Sequence, residues 1–145
     1  MDEYQVKAAF LYSFLKFVQW PAGEGPLTIA VVGDDPFDWR LDQVMKGRSA
    51  NGRDIVVKRV RPSDDLTKYH VLFVSASEAA RVASIVARTS QAPVLTVGDT
   101  PGFVDDGGMV RLFVDGERVR FQISVAAVER ARLKASAQLL SLGTR

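Results

Sequence analysis

The stretch EYQVKAAFLYSFLKFVQWP runs from Glu3 to Pro21. Whether it crosses a membrane, lies on one or packs inside a sheet protein decides how everything after it folds. At about 100° per residue, Val6, Phe10, Phe17, Phe14, Val18, Leu11, Tyr4, Leu15 and Ala8 fill one continuous arc of about 200°. Gln5, Tyr12, Ser13, Lys16 and Gln19 fall on the opposite side. The spacing predicts an amphipathic helix over Tyr4 to Trp20, with an apolar face wider than a one-sided surface helix needs. The stretch falls short of the ~20 apolar residues that span a bilayer, and it carries two lysines. An interfacial helix would line its polar face with Lys and Arg, whereas this one places only Lys16 there. The helix is therefore expected to be gripped on two sides, by its own sheet and by a second subunit. Lys7 lies inside the apolar arc. Either its stem packs and its ammonium snorkels to solvent or meets a carboxylate, or it lines a pocket or interface.

Downstream, Pro21, Gly23, Gly25 and Pro26 mark a loop. LTIAVVG (Leu27 to Gly33), YHVLFVS (Tyr69 to Ser75) and PVLTVGD (Pro93 to Asp99) are short apolar runs, which predict buried strands. RDIVVKRVR (Arg53 to Arg61) predicts a more exposed strand. Helices are expected from Asp35 and Pro36, which suit a cap and a first turn. A second is expected behind Ser77, packing Ala80, Val82, Ala83, Val86 and Ala87. A last one is expected from Val125 to Leu142, with Gly143 as its cap. Asp115-Gly116 signals a hairpin, after which Val119, Phe121 and Ile123 alternate with Arg118, Arg120 and Gln122. The alternation of strands and helices predicts an α/β fold: a single-domain, three-layer sandwich over residues 1–145. Its mixed sheet would have a largely parallel centre, a C-terminal hairpin and flanking helices.

Composition closes several functional classes. The chain has 145 residues, 47% hydrophobic and 25% charged, which suits one domain with one core. Its net charge is +2 with the basic residues scattered, so nucleic acid is not an expected partner. No cysteine is present, which removes disulfides, thiol nucleophiles and thiolate metal sites. The single histidine, His70, begins a buried strand, where a hydrogen-bonded structural role is expected. No Walker loop, no G-x-G-x-x-G after a strand and no G-x-S-x-G elbow occurs. Asp105 and Asp106 precede Gly107-Gly108, which marks a sharp turn or a close backbone approach.

VVGDDPF (Val31 to Phe37) echoes TVGDTPGF (Thr96 to Phe103), and both put Gly-Asp at the C-terminal end of a strand. That edge of an open α/β sheet is where ligands bind. Gly33, Asp34, Asp35, Gly98, Asp99 and Phe103 are thus candidate ligand or partner loops, although turn chemistry explains the same residues. Asp34, Asp35 and Asp99 could also gather around a divalent cation. A phosphate-receiver domain is rejected, because its acceptor aspartate is missing: the central run HVLFVS ends in Ser75 and Ala76. No catalytic residue, cofactor or resident metal is expected.

Taken in order, EYQVKAAFLYSFLKFVQWP, IAVVGDDPF, HVLFVS, VLTVGDTPGF, GGMVRLFVDGERVRFQIS and LKASAQLL resemble the YfiR family of bacterial periplasmic proteins. Lys7, Phe10, Tyr12, Phe14, Lys16, Trp20 and Pro21 match its opening signature. The resemblance implies an exported, non-catalytic dimer with an α/β sandwich fold. It also implies a repressor that holds back an inner-membrane diguanylate cyclase through that enzyme's periplasmic domain, and so controls cyclic di-GMP and biofilm formation. Members carry a cleaved signal peptide, absent before this first helix. Two departures stand out. Tyr69 precedes His70 where relatives often carry cysteine, so disulfide-based redox control is excluded here. Ser124 ends VRFQIS where asparagine is common. The alternative is a periplasmic small-ligand sensor that uses the Gly-Asp loops.

Overall fold

A computed structural model describes residues 2–21 and 23–145. The chain opens with α1 (Glu3–Phe17), whose first turn is closed by a capping box. Asp2 accepts from the Gln5 amide, and the Gln5 side chain accepts from the Asp2 amide. Two orphan amides of the helix start are thereby satisfied. The helix ends at Phe17 rather than at Trp20, because Val18–Gln19 turn extended as β1 and pair antiparallel with β9 (Lys134–Ala135).

The main sheet has seven strands in the order β3-β4-β2-β5-β6-β7-β8. They are β2 (Leu27–Val32), β3 (Ser49–Ala50), β4 (Arg53–Val60), β5 (Val71–Val74), β6 (Leu95–Gly98), β7 (Val110–Asp115) and β8 (Arg118–Ile123). The run from β4 through β7 is parallel, while β3 and β8 add antiparallel at the two sides. The apolar runs became the inner strands because both faces of a parallel centre are covered. On one face α1 packs with Phe37, Phe73, Leu95, Val97 and Phe121, and on the other Leu72, Val74, Val82, Ile85 and Phe103 form a second core. These are the three layers. β7 and β8 form the expected hairpin. Its loop residues are Gly116 and Glu117, and Gly116 has φ +65°, the left-handed conformation such a tight turn gives to glycine.

The helices differ from the sequence expectations in three places. The one placed at Asp35 begins only at Arg40, as α2 (Arg40–Met45). The Asp35 carboxylate instead accepts from the Phe37 amide in a tight turn that buries Phe37. Behind β5, Ser75 rather than Ser77 caps a 3-10 segment (Ala76–Arg81) that kinks into α3 (Val82–Thr89). The kink rotates Ala80, Ala83 and Ala87 to the surface and buries Val82, Ile85 and Val86. The long terminal helix is broken into α4 (Val125–Arg130), β9 and α5 (Ala137–Leu142). Arg132 takes φ +64°, which no helix continues through. Gly143 follows α5 with an ordinary φ of −98°, so it supplies no left-handed cap. It is glycine for space: a Cβ there would sit 2.3 Å from the Phe121 ring.

Candidate functional site

Lys7 is buried on the packed side of α1, in the first half of the helix. Its Nζ donates to Glu3 Oε2 at 2.6 Å and to Asp99 Oδ2 at 2.9 Å. The Tyr4 hydroxyl donates to the same Asp99 oxygen at 2.7 Å, and the ammonium lies 4.5 Å from the Tyr4 ring centre. The Lys7 and Asp99 side chains are only 4% and 7% exposed. Burial first, then the hydrogen bond to Asp99 and its charge, pushes the Tyr4 phenol far above its usual range. Tyr4 is therefore a fixed donor. Together these groups clamp the start of α1 to the C-terminal end of β6. Of the two roles open to Lys7, the structure shows the packed stem with a carboxylate partner.

The same helix is fixed further along. The Tyr12 hydroxyl donates to the Ser49 carbonyl of β3 at 3.0 Å, with the Arg48 guanidinium 4.9 Å from its ring centre. Phe14 is wholly buried, and Phe10 is half-buried edge-on to Phe121. Trp20 Nε1 donates to the His70 carbonyl at 3.1 Å. His70 is structural, as expected: its Nδ1 accepts from the Thr28 amide at 3.0 Å, which requires a neutral ring. Burial, with the Arg53 charge second, holds its pKa below the usual value. Lys16 and Pro21 remain exposed. The signature thus divides into Lys7, Phe14, Tyr12 and Trp20, which anchor, and Phe10, Lys16 and Pro21, which reach solvent.

The two Gly-Asp loops share an edge of the sheet, separated by β5. Gly33 has φ +91°, and a Cβ on it would sit 2.6 Å from Ser77 Oγ, which accepts from the Asp34 amide. Asp34 is exposed. Asp35 is held by Arg59 at 2.9 Å. The Arg59 guanidinium also grips Asp42 and holds that carboxyl below the usual carboxylate range. Gly98 and Gly108 leave room for the buried ring of Phe103, which lies 2.6 Å and 2.2 Å from where their Cβ atoms would stand. Asp34, Asp35 and Asp99 are not drawn together. Each of the latter two is occupied by a cation of its own, and among the described residues no three His, Asp or Glu side chains converge on a metal position. The sequence suggested Ser77 only as a helix cap and assigned no site role to Arg59 or Trp39. Trp39 stands two residues beyond Phe37 and is 54% exposed in the fold, an exposure that the sequence does not encode locally.

No helix among the described residues is long and apolar enough to cross a membrane. The model of the YfiR/HmsC-like family matches residues 4–144, so the resemblance of the opening stretch extends over nearly the whole chain. No curated protein matches the chain. The chain belongs to the YfiR/HmsC-like family.

Proposed function

We propose that this protein is a non-catalytic periplasmic regulator that binds the periplasmic sensor domain of an inner-membrane diguanylate cyclase and represses it. It would act as a homodimer and so lower cyclic di-GMP and biofilm formation. The observation that carries this reading is the family match over residues 4–144. The geometry of the sheet edge supports it. Where an α/β enzyme places reactive groups, Asp35 and Asp99 are spent on Arg59 and Lys7. The contact surface is assigned to the outward side of α1, where Lys16 is exposed, and to the loops after Gly33 and Gly98.

The test is a titration of this protein against the purified periplasmic domain of a membrane diguanylate cyclase from the same organism, followed by cyclase assays in membranes. Saturable binding is expected, weakened roughly tenfold by Lys16→Glu, a loss of about 1.4 kcal/mol. Cyclic di-GMP synthesis should fall as the regulator is added. Two folded domains that show no saturable binding would overturn the proposal.

A further inference from the structure

One side of the sheet is left open. β3 pairs with β4 only at Arg53 and Asp54, through Ala50 and Ser49. Beyond them, Ile55 to Val60 have a ladder on the β2 side alone. The Val60 carbonyl accepts from the Gly33 amide, on the β2 side. Backbone groups alternate along a strand, so Val56 and Lys58 also face β2, and Ile55, Val57 and Arg59 present N–H and C=O outward. Among the described residues no backbone group meets them. The opposite side of the sheet is treated differently, for there the Thr144 backbone bonds to Phe121 and Ile123 of β8.

A groove of about 850 Å³ runs along the open strand, lined by Trp39, Asp42, Met45, Arg48, Ile55 and Val57. Trp39 is one of the few large apolar side chains left exposed. Among the described residues Lys46, Arg48, Lys58 and Arg61 have no carboxylate partner within ion-pair distance. Charges on an edge strand guard against pairing with another copy. Here they do so selectively, because an antiparallel self-pairing would bring the cations of Lys58 and Arg61 on two copies close together, while both are free to attract an acidic strand; Arg59 is already held by Asp35 and Asp42.

We infer that the outer edge of β4 is a strand-addition site for an extended acidic segment of a partner protein, whose alternate apolar side chains enter the groove beside Trp39. This mode takes its affinity from main-chain bonds and its selectivity from pockets for every second side chain. The surface adjoins the outward side of α1 at Tyr12, whose ring centre lies 4.9 Å from Arg48 and 5.6 Å from Lys16.

The test uses fluorescence anisotropy with the labelled peptide Val-Glu-Val-Asp-Val-Glu-Val, and with Val-Lys-Val-Arg-Val-Lys-Val as its charge-reversed counterpart, at low ionic strength. Saturable binding is expected for the acidic peptide only. Val57→Pro removes an outward N–H and leaves the β2 ladder intact, and should abolish binding while the melting temperature stays near wild type. Trp39→Ala, at an exposed side chain, should weaken binding at least tenfold and serves if the proline variant does not fold. The inference is overturned by no saturable binding of the acidic peptide, by equal binding of both peptides, or by unchanged binding in folded Val57→Pro and in Trp39→Ala. A wild-type dimer in sedimentation that Val57→Pro dissociates would also overturn it, since the occupant would then be a second copy.

Discussion

Replacing Lys7 by methionine keeps the stem and removes the ammonium. Asp99 would then stay buried with the Tyr4 hydroxyl as its remaining side-chain donor. Breaking a buried pair from one side costs about 3–5 kcal/mol, because a charge is left uncompensated. The surviving Tyr4 bond puts Lys7→Met at the low end, about 3 kcal/mol. Asp99→Asn leaves the ammonium with Glu3, whose side chain is 47% exposed and therefore solvated, so about 2 kcal/mol is expected. The double variant removes both charges and should cost no more than about 3 kcal/mol, a coupling of about 2 kcal/mol. In a domain of this size Lys7→Met corresponds to a fall of roughly 6–12 °C in Tm. Urea unfolding followed by circular dichroism at neutral pH gives all four stabilities. Repeating it in high salt should leave the coupling largely in place, since a buried pair is weakly screened. A Lys7→Met cost below about 1 kcal/mol, or single effects that simply add, would refute the clamp.

Two further outcomes follow from the described contacts. His70 is held below its usual pKa, so its contribution is present above about pH 6.5 and lost as pH falls through the lowered folded value. His70→Asn keeps an acceptor near Nδ1 without a titrating ring; stability curves for it and the wild type should diverge below about pH 6.5, and parallel curves would reject the assignment. Gly108→Ala places a methyl against the Phe103 ring and should cost about 1–3 kcal/mol. Phe103→Leu in the same chain should recover part of that loss in thermal unfolding, and no recovery would mean the ring is not the obstacle.

The strands were legible because a continuous apolar run bounded by Gly, Pro and Asp has few other folded uses. β2, β5 and β6 lie inside the predicted segments, with no end trimmed by more than two residues. The terminal helix was not legible, because its break is a tertiary event. Lys134–Ala135 leave the helical path to pair with Val18–Gln19, and nothing local to the Val125–Leu142 stretch encodes a partner at the far end of α1. The site was half legible. Lys7 announced itself by standing in an apolar arc, and Gly98-Asp99 by ending a buried strand. That the two belong to one clamp needed the fold, which brings together residues 92 apart. The exposed character of RDIVVKRVR was visible in its charges, but which of its amides face outward depends on the β2 register.

The anchoring of α1 constrains how a regulator of this design responds to a signal. Near its start the helix is clamped by Lys7 to Asp99, at its middle by Tyr12 to Ser49, and just past its end by Trp20 to the His70 carbonyl. These contacts reach β6, β3 and the entry to β5, so α1 cannot lift from the sheet without breaking bonds at several strands. Detaching α1 would also expose Leu11, Phe14 and Leu15, each worth about 1.5–3 kcal/mol of burial, which keeps a detached helix below about 1% of molecules. The chain also has no cysteine with which an oxidant could pay that cost. On the proposed function, the outward side of α1 would offer its partner a rigid, preorganised surface. On that reading, a signal that releases the partner would act by competing for a surface rather than by moving this helix. If the outer edge of β4 takes an added strand as inferred, that addition breaks no backbone bond among the described residues, because Ile55, Val57 and Arg59 are unpaired on that side.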